Sequence, residues 1–308
     1  LGLHQVQFAI SAAFGGLAVW LAYDFGSELQ DKRLGRAMAL AMLIGVGLYT
    51  AYLDSHFTTL LALVFAFAFI TYVLRYLREK RRLDALASGL MLGEVAICHP
   101  HTTIILARGY APWLLTMWLG RPRPTIKTWA VIAFAVPLIA LVAISPWLLS
   151  IRDLLGSDIE SPFTRSPDYW RLMILYQGVV IVPLALIGAV IGLRRRDHAA
   201  LFAVGWLILA FDFAVTGITE SLLGWLLAPL FKYDYPFSIA WHAPIIPYAI
   251  LGGIGLLWLW DRWLEARWGE RLHRAAPALL IGGLAWGLIV AVTPSIWLPL
   301  TKARIGVY

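Results

Sequence analysis

Two histidines flank a proline at His99-Pro100-His101, and an acid and an imidazole sit two apart at Asp54 and His56 in YLDSHF. Imidazole is a borderline nitrogen donor and carboxylate a hard oxygen donor, so the four could complete a metal set, hydrogen-bond an anionic head group, or be satisfied turn residues. Alternate residues of an extended turn point to opposite sides, so His99 and His101 need not converge on one ion, and no metal site is assigned. Two acids lie inside apolar runs: Glu94 in LMLGEVAICHPHTT and Asp212 in LILAFDFAVTG. A charge in hydrocarbon is costly, so each either serves a proton or substrate path or pairs and caps within the structure. A third group joins basic and aromatic side chains: Arg165, then Lys232, Tyr233 and Tyr235, with His242 opening the next apolar run. Arg and Lys can pair with a phosphate while Tyr stacks on the apolar face of a sugar, although interface anchoring gives the same enrichment.

The elements that must hold these residues are set by composition. Of 308 residues 60% are apolar and 14% charged, with 15 Trp and a mean hydropathy of +0.75. Soluble domains carry about 25% charge, so the chain is expected to be an all-α, polytopic membrane helix bundle. The formal charge of +7 sits in short loops between apolar runs, as topology determinants do, which argues against a nucleic-acid partner and for membrane lipid. One cysteine, Cys98, excludes an internal disulfide and c-type haem attachment. There is no GxSxG, HExxH, P-loop or Rossmann fingerprint to support hydrolase, zinc-protease or nucleotide chemistry.

Apolar runs predict ten spans, at 6–24, 36–53, 57–77, 84–98, 102–119, 127–149, 170–193, 198–216, 241–260 and 275–297. The region 84–119 could instead hold one helix kinked at Pro100. Loop charge decides: with a reversal at His99-Pro100-His101, alternate loops carry 18 Lys and Arg on one side and 6 on the other, with Arg108 unassigned. A single span would make the division 14 to 10. The positive-inside rule selects the reversal and puts the loops Asp31 to Arg36, Arg75 to Arg82, Arg121 to Lys127, Arg194 to Arg196 and Arg262 to Arg274 in the cytoplasm, with both ends outside. The tip at His99 is expected to lie below the outer surface, because the first helix of the hairpin is short. The outer segments 150–169 and 217–240 mix Trp, Leu, Pro and charge and are expected to include interfacial helices.

Residues 54–115, with an outer turn, a span ending in a basic loop, a short helix carrying Gly89 and Gly93, and a polar turn into a second short helix, resemble bacterial and archaeal GT-C type glycosyltransferases, in the protein O-mannosyltransferase-like group. The stretch 232–260 looks like that group's outer substrate loop and following helix. The resemblance covers most of the chain as pattern and implies a transmembrane domain over 1–301. The last residues, 302–308, look like the entry to an outer soluble domain. It also implies a polyprenyl-phosphate sugar donor, transfer to an acceptor at the outer face, residence in the cytoplasmic membrane of a prokaryote, and a divalent metal as an admissible cofactor. The family's catalytic aspartate, in the first outer loop, would lie upstream of Leu1. Phosphate contact is then ranked Lys232, Arg165, Arg108, with His99 and His101 as neutral donors and Asp54 accepting sugar hydroxyls. A noncatalytic subunit of a larger membrane assembly, or a transporter using Glu94 and Asp212, are the competing classes.

Overall fold

The computed structural model describes residues 3–45, 47–48, 51, 57–152, 165–178, 180–222, 236–265 and scattered positions from 269 to 285. Every regular element among them is helical. In chain order they are α1 (Leu3–Leu29), α2 (Lys32–Ile44), α3 (Phe57–Glu79), α4 (Arg82–Cys98), α5 (Pro100–Thr116), α6 (Ile126–Ser150), α7 (Trp170–Ile174), α8 (Ile181–Arg195), α9 (His198–Thr216), α10 (Pro236–His242) and α11 (Ile245–Leu259). Five helices are long and apolar enough to cross a membrane: Ala9–Leu29, Phe57–Glu79, Ile126–Ser150, His198–Thr216 and Ile239–Trp263. The chain is a helical membrane protein.

The reversal at His99 is present. His99 adopts an extended conformation (φ −152°, ψ 94°) between α4 and α5, and Pro100 takes the first helical position of α5, where its missing N–H costs nothing. The two helices then run in opposite directions along α6. Gly89 and Gly93 of α4 lie against Val136 to Ile139 and Ala140 to Ile144 in turn, so α4 and α6 are parallel. Tyr110 and Leu114 of α5 bond to Ile132 and Trp129, which makes α5 antiparallel to α6. A Cβ on Gly89 would come within 2.6 Å of Ile139, so a glycine there is what lets the two helices touch.

Two predicted spans are corrected. The helix expected over 36–53 stops at Ile44, where Gly45 is extended (φ −67°, ψ 125°). Residues 170–193 do not form a single helix; α7 passes through a 3₁₀ turn, Leu175–Gln177, to Gly178 at φ 107°, and α8 starts anew at Ile181. That φ is readily adopted only by glycine, and apolar composition continues across it, so hydropathy does not register the break. The span predicted at 275–297 falls almost wholly outside the described residues.

Three π turns are described, and the one within α6 and the one that ends α9 each leave a carbonyl for a side chain to satisfy. In α6 the Val136 N–H bonds to Val131 O, one residue further back than in an α-helix. Ile132 O therefore loses its α-register donor, and its π-register donor would be Pro137, which has no N–H. The Tyr110 hydroxyl donates to it at 2.6 Å. In α9 the Gly217 N–H bonds to Asp212 O at 2.7 Å and the Ile218 N–H to the Asp212 carboxylate at 2.8 Å. Both backbone donors that Phe213 O would use are thereby engaged, and Arg165 Nε donates to it at 2.9 Å.

The buried interior between α3, α5 and α9 is aromatic. Phe69, Tyr110, Trp113, Phe202 and Trp206 form a ladder with successive centroids 4.7 to 5.8 Å apart, all tilted or edge-to-face as ring quadrupoles prefer.

Candidate functional site

The two ends of the bundle differ in chemistry. At one end the basic loops come together. Arg75 and Arg78 donate to the Glu28 carboxylate at 2.5 and 2.9 Å, and Arg33 donates to Asp261 at 2.6 Å and Glu265 at 3.3 Å. Glu28, Arg75, Arg121 and Asp197 line one cleft, and Arg121 N–H bonds to Arg196 O at 2.9 Å. Burial lowers the Lys80 ammonium below the ordinary lysine range, and this ammonium donates to Leu77 O. All five basic loops singled out by their charge thus share one end.

The opposite end carries the candidate site. His99 caps α5: its Nδ1 accepts the Thr102 N–H at 3.3 Å and lies 2.8 Å from the Thr102 hydroxyl. A nitrogen that accepts from a backbone N–H carries no proton, so the ring is neutral with its proton on Nε2, which faces the Thr59 hydroxyl at 3.4 Å. That contact ties the start of α3, three residues beyond His56, to the hairpin tip. Asp54 and His56 themselves lie outside the described residues, as do Lys232, Tyr233 and Tyr235. His101 and Arg108 lie on the described backbone of α5, but their side chains are outside the description.

Asp212 and Arg165 are built into one structural cluster. Asp212, 9% exposed, accepts from the Thr216 hydroxyl at 2.6 Å and from the Ile218 and Thr219 N–H groups at 2.8 and 3.0 Å. It caps the turn that follows α9, where Gly217 adopts φ 68°. Arg165 pairs with Glu220 and with the Phe213 carbonyl, and its guanidinium fills the space where a Cβ on Gly217 would go. Its charge is already used by protein groups, which lowers its standing as a phosphate ligand. In the structure both side chains are bonded to groups of the protein itself.

His242 is buried at the end of α10 with its ring stacked on Trp241, centroids 5.4 Å apart. Gln177, which the sequence reading passed over, donates to Trp241 O at 2.7 Å and links the 3₁₀ turn before Gly178 to α10. A polar side chain in a run of apolar residues (MILYQGVVIV) was its signal. Glu94 is exposed on the outer surface of α4, with no hydrogen bond or ion pair among the described residues. Among the described residues no three His, Cys, Asp or Glu side chains converge as a metal set.

Comparison with protein-family models, with curated proteins and with solved structures gives no match for this chain.

Proposed function

We propose that the chain is the membrane domain of a GT-C type glycosyltransferase that moves a sugar from a polyprenyl-phosphate donor to an acceptor at the bundle end opposite the basic loops. The observation that supports it is the segregation of the ends. Five basic loops gather at one, while the His99 reversal, the Thr59 start of α3 and the Arg165 cluster lie at the other. In this reading the chain crosses ten times, with α8 in place of the span predicted at 170–193, the basic end is cytoplasmic by the positive-inside rule, and the protein lies in the cytoplasmic membrane of a prokaryote.

Transfer from a lipid phosphate needs a base for the acceptor and a positive partner for the departing phosphate. No residue of this chain is assigned as the base. With Arg165 engaged by Glu220 and Phe213 O, phosphate contact passes to Lys232 first and Arg108 second. His99 has its Nδ1 committed to the α5 cap, so only its Nε2–H remains as a donor, held against Thr59.

The deciding measurement is the affinity of a polyprenyl-phosphate sugar for the full-length protein and for Lys232→Ala at matched ionic strength. Loss of a charge-assisted contact weakens binding by roughly tenfold or more. Equal affinities in the two proteins, or no donor binding by either, would sink the proposal and leave the noncatalytic-subunit alternative.

A further inference from the structure

At the basic end, away from the candidate site, the close of α11 and the end of α8 enclose a pocket of about 300 Å³ against the start of α2. Its lining divides by chemistry. Leu34, Ile254 and Leu257 give an apolar floor, and Arg195, Trp258 and Arg262 form part of the rim. We propose that this pocket binds an anionic phospholipid, with the phosphodiester between Arg195 and Arg262 and the first acyl carbons over the Leu34, Ile254 and Leu257 floor.

Charge is the first support. Arg195 is the last residue of α8 and Arg262 lies in the π turn that follows α11, so the two cations come from separate elements and converge only in the fold. Both are exposed, and neither forms an ion pair among the described residues. Asp261 is the one acid described in the lining, and it is held by Arg33 at 2.6 Å. Its charge is therefore offset from the far side, and two guanidinium forks remain for one phosphodiester, the planar geometry that arginine pairs with best.

Depth is the second support. The pocket opens where Ile239–Trp263, one of the helices apolar enough to span, gives way to Asp261, Arg262 and Glu265. That is the head-group level, where tryptophan is enriched and basic pockets between helices recognise anionic lipid. A free phosphate would use the arginines and leave the apolar floor in water; a phospholipid covers both. The inference does not depend on the transferase reading.

The test uses the full chain in detergent, with native mass spectrometry against phosphatidylglycerol, phosphatidylcholine and inorganic phosphate. The expected result is retention of phosphatidylglycerol in preference to phosphatidylcholine. That preference falls about fivefold for Arg195→Ala or Arg262→Ala and by roughly 25-fold for the pair. A control pair of the same charge outside the pocket, Arg81→Ala with Arg274→Ala, keeps the wild-type preference. All four side chains are exposed, so the variants should fold, and their melting temperatures check this. Equal retention of the two lipids, or the same loss in the control pair, overturns the proposal, because attraction would then be diffuse. Displacement of the lipid by inorganic phosphate at equal concentration also overturns it, since the floor would then contribute nothing.

Discussion

The hydroxyl of Tyr110 reaches the carbonyl oxygen of Ile132, 2.6 Å away, on a helix that runs antiparallel to its own. That oxygen has no backbone donor because Val136 is turned toward Val131 and residue 137 is proline. Tyr110→Phe is expected to leave a buried acceptor unsatisfied and to destabilise the protein by about 1–3 kcal/mol. Restoring an N–H with Pro137→Ala should recover part of that loss. A double-mutant cycle on thermal or denaturant unfolding measures the coupling; strictly additive effects would contradict the assignment.

His99 is expected to act as a cap whose acceptor nitrogen matters more than its ring. His99→Ala should cost about 1 kcal/mol of stability, typical of a lost N-cap, while His99→Asn keeps an acceptor and most of the stability. Unfolding of the two variants side by side gives the answer. If Asn proves as costly as Ala, the imidazole has another task.

Gly89 and Gly93 should differ in tolerance. A Cβ at 89 meets Ile139 at 2.6 Å, whereas one at 93 meets Ile144 at 3.1 Å. Gly89→Ala is expected to cost roughly 1–3 kcal/mol through overpacking and Gly93→Ala less. A reversed order in measured melting temperatures would mean that α4 does not pack on α6 through these glycines.

Asp212→Asn probes whether that acid serves structure or a path for protons. The amide can accept at only one oxygen, while the native carboxylate accepts at both, so stability is expected to fall by about 1–2 kcal/mol. Donor affinity in the same variant should stay at the native value. A stable protein with altered donor affinity would restore the functional reading.

How much of this was legible in the sequence depends on which force wrote each feature. The span at 198–216 and the one at 127–149 were found within a residue or so, because long apolar runs between charges are what a bilayer selects. The His99 break was legible from loop charge, which segregates 18 to 6 only if the chain reverses there, whereas Pro100 by itself also admitted one kinked helix. Gly178 was not legible, since backbone conformation at one glycine leaves no trace in hydropathy. Nor were the partners of Arg165, whose acid is 55 residues away and whose carbonyl is freed by a π turn that no residue pattern announces. The sequence pointed to Asp212, Arg165 and His99 but not to Gln177, Thr59 or Thr102, and what each side chain bonds to was set by tertiary contacts.

Helices α4 and α5 have 17 residues each, close to 25 Å of rise, and α5 turns back from α4 after a single extended residue. A bilayer interior of about 30 Å is thicker than α4, while α5 runs on through a 3₁₀ turn at Met117–Leu119. The lipids around this corner must therefore shorten or tilt to keep the helix ends solvated, at a cost of fractions of a kcal/mol for each ångström of mismatch. On the ten-span reading the hairpin pulls one leaflet inward, and the protein should then prefer thin or compressible membrane, with shorter-chained lipids collecting beside α4.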